Sequence, residues 1–141
     1  MLLFLSFVKY SSAFVQKHTD RIFEILSELN TSSSERQARL AIDYIQKNYM
    51  EPDLSLNSIC SYLNISTSYF STIFKELTGE TFIEVLGRLR IEKAMELLES
   101  TTLKNYEIAE KVGFADPHYF GISFKKMTGC TPTEYAREKR K

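Results

Sequence analysis

The sequence predicts an all-α protein, and three observations carry that reading. Turn-forming residues are scarce, because 141 residues hold five Gly and three Pro and no Asn-Gly, Asp-Gly or Gly-Gly pair for the hairpins of closely spaced strands. Apolar residues recur at helical spacing in successive segments. A helix-length stretch also repeats, Tyr69-Phe-Ser-Thr-Ile-Phe-Lys-Glu-Leu-Thr-Gly79 returning fifty positions on as Tyr119-Phe-Gly-Ile-Ser-Phe-Lys-Lys-Met-Thr-Gly129.

The length suits one compact domain with an appendage, and 43% apolar with 26% charged residues is a globular composition that rules out wholesale disorder. Eighteen basic residues balance eighteen acidic ones, so the surplus of Lys and Arg expected of a phosphate-binding protein is missing from the total. Cys60 and Cys130 lie 70 positions apart outside any Cys-x-x-Cys or Cys/His cluster, which reads as two free thiols in a reducing compartment and no zinc site.

Residues 1–8 (MLLFLSFV) form an apolar run that breaks at Lys9, far short of the ~20 residues needed to span a bilayer. Nothing basic precedes the run, as a signal peptide would require, so packing against this or a neighbouring domain is expected. From Lys17 to Leu29, Ile22, Phe23, Ile25, Leu26 and Leu29 make the stripe of an amphipathic helix. The stripe suits core or inter-domain packing or a dimer seam, and its length of under two heptads favours packing. The polar run 30–34 and a capping box Ser32-x-x-Glu35 predict a domain boundary, dividing the chain into 1–34, an apolar segment and connector helix that could be the remnant of an upstream domain, and 35–141.

Beyond the boundary seven helical segments follow. Residues 35–49 carry Leu40, Ile42, Ile45 and Tyr49 and end before Glu51-Pro52-Asp53, since proline disfavours helix in the residue before it. A segment opened by Ser55 reaches Leu63, turns at Asn64, and is followed by a helix over 67–77 that ends at Gly79. Thr81 or its neighbour caps a long helix through Glu99, with Phe82, Val85, Leu86, Leu89, Ile91, Ala94, Leu97 and Leu98 as buried positions. Helices near 105–112, 117–127 and 132–140 complete the chain, and Gly79 and Gly129 stand where helix ends favour positive φ.

Over positions 69–85 the repeat has eight identities in 17: Tyr69, Phe70, Phe74, Lys75, Thr78, Gly79, Thr81 and Glu84 match their counterparts fifty positions on. Upstream the offset is 49, pairing Ile59 with Ile108, Leu63 with Val112, Asn64 with Gly113 and Ile65 with Phe114, so the second copy carries one inserted residue around Ala115-Asp116-Pro117. Each copy is a short helix, a sharp turn at a residue tolerant of left-handed φ, and a longer helix, which is helix-turn-helix geometry used twice. A solenoid would need at least three units at a shorter period. The helix over 81–99 is ~28 Å long at 1.5 Å per residue. Such a spacer suits two reading helices set about one DNA turn, ~34 Å, apart.

These residues resemble the DNA-binding domain of the AraC/XylS family of bacterial transcription regulators over about Arg36 to Arg140. The most specific portion is Ile108-Ala-Glu-Lys-Val-Gly-Phe-Ala-Asp-Pro-His-Tyr-Phe120 with Phe124-Lys-Lys-Met-Thr-Gly129 and Thr131-Pro132-x-x-Tyr135; the first copy and the linker run Arg88 to Leu98 match as well. Within the family the chain is most similar to YesN-type response-regulator outputs, in which residues 17–34 would be a connector's end and the phosphorylatable receiver would lie outside this chain.

The resemblance implies that the second helix of each repeat enters the major groove, with Ser68, Ser71, Thr72 and Lys75 facing outward on the first and His118, Gly121, Ile122, Lys125 and Lys126 on the second. Phe70, Ile73, Phe74, Phe120 and Phe124 would pack inward. An Arg commonly follows the Tyr-Phe-Ser triplet in the family, whereas Thr72 and Ile122 stand here, so specificity is expected to lean on hydroxyls, contact of Ile122 with thymine methyls, and DNA shape.

The matched Phe and Tyr residues, recurring at i and i+4, read as core, and Cys60, paired with Ala109 in the repeat, as a small buried residue. His118 suits either a base or phosphate contact or an ordinary surface position beside proline. Six basic residues against two acidic ones from Ser123 to Lys141, among them Arg137, Lys139, Arg140 and Lys141, mark the expected backbone grip.

The sequence thus points to a cytoplasmic, non-enzymatic, sequence-specific regulator without metal or cofactor, whose partner is double-stranded DNA. RNA polymerase and a second copy of the chain through residues 17–30 are further candidate partners. The competing class is a helical protein-interaction module without DNA affinity, which steep salt dependence of duplex binding would exclude.

Overall fold

A computed structural model of the chain describes residues 19–22, 24–25 and 32–141. Residues 19–22 and 24–25 are helical, with Ile25 exposed. The apolar run over 1–8 and the stripe positions Phe23, Leu26 and Leu29 lie outside the described residues. Seven helices span the rest: α1 (Ser33–Asn48), α2 (Leu56–Leu63), α3 (Thr67–Thr78), α4 (Phe82–Ser100), α5 (Asn105–Lys111), α6 (Pro117–Thr128) and α7 (Pro132–Lys139). No strand occurs among the described residues, and no helix among them is long and apolar enough to cross a membrane.

Local chemistry sets the helix ends. Ser32 Oγ accepts the Glu35 amide at 3.3 Å, Ser55 and Ser58 exchange side-chain and backbone bonds, and Thr81 and Thr131 do the same with Glu84 and Glu134. Thr78 and Thr128 share another device. Each hydroxyl bonds the carbonyl four residues back, Phe74 at 2.7 Å or Phe124 at 2.8 Å, and clamps the chain two residues on, while the next glycine takes φ 79° or 87°. The same clamp thus closes the second helix of both copies.

The chain divides into two compact units, one comprising α1 through Lys47 with Ser55–Val85, the other Asn48–Leu54 with Leu86–Lys141. In the first, Ala38, Ala41, Ile45, Ile59, Cys60, Leu63, Phe70, Ile73, Phe74, Leu77, Phe82 and Val85 are buried, with Phe70 stacked on Phe74 at 5.0 Å. α1 departs from the expected stripe. It buries Ala38, Ala41 and Ile45, one face at helical spacing, and turns Leu40 outward. Cys60 is a free, buried thiol, and burial pushes its pKa up.

The second unit packs Ile91, Ala94, Leu98, Ile108, Ala109, Val112, Phe114, Phe120, Phe124, Tyr135 and Ala136 together. Leu97 is only half-buried at its edge, as is Leu89 on α4. Phe124 meets Phe120 at 5.8 Å and Tyr135 at 5.6 Å, both edge to face. The Tyr135 hydroxyl donates to Glu99, and burial with that bond pushes its pKa up to about 12, fastening α7 to α4.

Candidate nucleic-acid interface

Both repeats make the same turn from the same backbone bonds. α2 ends at Asn64, φ 57° and ψ 46°, with the Asn64 amide on Ser61 O and the Ile65 amide on Cys60 O. α5 is followed by Gly113, φ 96°, with the Gly113 amide on Glu110 O and the Phe114 amide on Ala109 O. The six-to-one bond and the left-handed residue redirect the chain into the second helix. Ser66, accepting the Tyr69 amide at 3.1 Å, caps α3, and Asp116, accepting the His118 amide at 2.9 Å, caps α6. The offset is 49 at Phe114 and 50 at Asp116, so the inserted residue is Ala115, which is exposed.

On α3 the side chains of Ser68, Ser71, Thr72 and Lys75 are all exposed, and Phe70, Ile73, Phe74 and Leu77 are buried on the opposite face. On α6 His118, Ile122, Lys125 and Lys126 are exposed, Gly121 is half-buried, and Phe120 and Phe124 are buried. Ile122 leaves 54% of its surface bare, one helical turn from Tyr119, which is also exposed. A Cβ at Gly121 would meet nothing within 4 Å, so this position is open. The Thr72 hydroxyl donates to Ser68 O at 3.0 Å, leaving its oxygen as an acceptor and its methyl free to face outward. Lys75 lies 3.7 Å from Glu84.

Several residues take other roles than the sequence suggested. Tyr69 and Tyr119 are 44% and 58% exposed and do not belong to the core with the repeated phenylalanines. Each directly precedes a buried Phe and lies about 100° round the helix from it, which places both tyrosines at the edge of the buried face instead of within it. Arg140 is not a free phosphate contact, because its guanidinium donates to Leu98 O and Thr101 O and closes the C-terminal end of α4. Lys139 lies over the Tyr135 ring at 5.7 Å, while Arg137 and Lys141 remain exposed.

Arg90 was not marked by any sequence motif for the place it occupies. Its Nε donates to Tyr49 O at 2.8 Å and its Nη2 to Glu51 O at 2.8 Å, with the guanidinium 5.8 Å from the Phe114 ring centre. Burial lowers its pKa. Arg90 ties the Asn48–Leu54 connection to α4 behind the second turn, where a Cβ on Gly113 would come 2.3 Å from Tyr49 O. Among the described residues no three His, Cys, Asp or Glu side chains group closely enough to hold a metal.

Residues 59–138 match the family described as a helix-turn-helix domain. The chain is 34% identical over 104 residues to the raffinose operon transcriptional regulatory protein RafR of Pediococcus pentosaceus, covering 74% of this chain and 37% of that protein. The chain therefore spans little more than a third of that relative. Among solved structures it is similar to the C-terminal domain of AraT, a response regulator from Geobacillus stearothermophilus, with a TM-score of 0.73 and 44% identity over 76% of this chain and 88% of that one. The C-terminal domain of the two-component response regulator YesN from Fusobacterium nucleatum gives a TM-score of 0.68 and 41% identity, covering 70% and 95%.

Proposed function

Because the chain belongs to the AraC-type helix-turn-helix family of DNA-binding transcription regulators, we propose that residues 35–141 are its DNA-binding domain, with α3 and α6 as the reading helices. Ser68, Ser71, Thr72 and Lys75 enter one major groove, and His118, Gly121, Ile122, Lys125 and Lys126 enter the next. The observation that supports this assignment is the pair of faces: in both repeats the second helix buries its phenylalanines and presents small, polar and basic side chains, with Ile122 among them on α6, from one exposed face.

The chemistry available there is modest. Hydroxyls at 68, 71 and 72 accept or donate to any base edge, Ile122 suits a thymine methyl, and no arginine stands on the exposed face of either helix for a bidentate guanine contact. Sequence preference then draws on DNA shape as well as on base contacts. A neutral chain grips phosphate weakly, which favours reinforcement of the bound form by a second copy through residues 17–30 or by RNA polymerase.

Footprinting on the chain's own promoter tests the reading. Two protected patches about one helical turn, ~10 base pairs, apart are expected; a single patch, or none, overturns it. Thr72→Glu should abolish protection while leaving the melting temperature unchanged, because the side chain is exposed and would set a carboxylate against phosphate. Unchanged affinity in that variant refutes the placement of α3.

A further inference from the structure

Three of the eight identities between the repeats have a joint consequence: Lys75 and Lys125, Thr81 and Thr131, Glu84 and Glu134. In the first copy the Thr81 amide donates to Glu84 Oε2 at 2.7 Å and the Glu84 amide to Thr81 Oγ1 at 3.2 Å, a capping box at the start of α4. The same carboxylate oxygen lies 3.7 Å from Lys75 Nζ on the reading helix. In the second copy the Thr131 amide donates to Glu134 Oε2 at 2.9 Å, and the Glu134 amide to Thr131 Oγ1 at 3.2 Å. Lys125 on α6 and Arg137 on α7 help to hold the Glu134 carboxyl below the ordinary glutamate range, after its bond to the Thr131 amide.

A surface ion pair between two mobile side chains would mean little. Here one member is not mobile. The glutamate carboxylate is held by the amide of the threonine three residues before it, at the N-terminus of the following helix, so a negative charge stands 3.7 Å from Lys75 Nζ, and the same box fixes Glu134 in the repeat unit that carries Lys125.

We propose that Glu84 and Glu134 are positioning residues that set the strength of the DNA grip: each holds Lys75 or Lys125 against a fixed carboxylate, and leaves that carboxylate beside the phosphate once the lysine has turned to it. The inference rests on the assignment of α3 and α6 as reading helices. A free lysine that contacts a phosphate releases about one counterion from the duplex. A lysine already neutralised by a fixed acid exchanges one anion for another, and the acid left behind recruits a cation, so the net release falls. This provides a structural route by which a chain of zero net charge keeps its non-specific occupancy low.

The test compares Glu84→Gln, Glu134→Gln and the double variant with the unaltered chain, in binding titrations against a random-sequence duplex and a promoter duplex over a range of KCl concentrations. Glutamine still accepts the capping bond, so melting temperatures should change little. Each single variant is expected to bind the random duplex about threefold tighter at low salt, with the slope of log K against log salt steeper by up to ~0.9 per substitution. Asp43→Asn breaks an equally exposed pair, Lys47 to Asp43 at 2.9 Å on α1, and should leave both quantities unchanged. The gain from Glu84→Gln should vanish when Lys75 is also replaced by Met. Equal slopes for the unaltered chain and the double variant, an equal gain from Asp43→Asn, or a gain that persists without Lys75 each overturns the proposal. Absence of duplex binding by the unaltered chain at low salt would overturn the reading-helix assignment itself.

Discussion

Gly113 and Asn64 occupy the same place in the two repeats, and both are left-handed, so Gly113→Asn looks conservative from the sequence. The structure predicts the opposite. A Cβ at Gly113 would lie 2.3 Å from Tyr49 O and 2.8 Å from Arg90 Nε, inside the range in which atoms must move apart, and the first of these is backbone. Retreat of the Tyr49 carbonyl would break its 2.8 Å bond from Arg90, a charged hydrogen bond worth ~1.5–3 kcal/mol.

Alanine at φ 96° adds about 1–2 kcal/mol of backbone strain, and the lower entropy of its unfolded chain offsets roughly 0.4–1 kcal/mol. The net loss for Gly113→Ala is therefore about 3 kcal/mol, and Gly113→Asn, which relieves only the strain, should lose about 2 kcal/mol. Gly129 is the internal control: its φ is 87°, but a Cβ there meets nothing within 4 Å, so Gly129→Ala should cost about 1 kcal/mol. Urea denaturation of the three variants separates these terms. If Gly113→Asn is as stable as the unaltered chain, or Gly113→Ala only as unstable as Gly129→Ala, the lock of Tyr49, Arg90 and Gly113 does not exist.

Two more outcomes follow from the packing and the caps. Phe124, wholly buried between Phe120 and Tyr135, should lose ~3–5 kcal/mol on replacement by Ala, read as a shift of the denaturation midpoint; a negligible shift would mean α6 is turned the other way. The Glu84 and Glu134 carboxyls both lie below the ordinary glutamate range, chiefly through bonds from the Thr81 and Thr131 amides. A lowered pKa contributes stability that is complete above the unfolded-state value and is lost as pH falls through the folded one. Thermal melting followed from neutral pH into the acid range should therefore fall more steeply for the unaltered chain than for the Glu84→Gln, Glu134→Gln double variant, and parallel curves would refute the contribution of the caps.

How far the sequence could be read depended on how far apart the interacting groups lie along it. Asn64, Gly79, Gly113 and Gly129 were legible as left-handed positions, and Ser32, Thr81 and the threonine-glycine ends as helix boundaries, because each acts on atoms within a few residues. The repeated Phe positions were legible as core because a helix returns to the same face every three or four residues, and the repeat states the pattern twice. That periodicity misleads at the margins. Tyr69 and Tyr119 share the repeat and yet point outward, and Leu40 yields the buried face of α1 to Ala38 and Ala41.

Taken alone, then, the amino-acid order determined an all-α chain of two helix-turn-helix units, the turns within them, and the exposed faces of α3 and α6, all consequences of helical geometry and of bonds between near neighbours. Only the tertiary structure decided what the cations do. Arg90 reaches back 41 residues to Tyr49 O, Arg140 reaches 42 residues to Leu98 O, and Lys75 meets a carboxylate from the next helix. Their partners are carbonyls and acids that any position along the chain could supply, so no local pattern marks the pairing, and a count of charges does not distinguish a lysine free to meet phosphate from one already held by an acid.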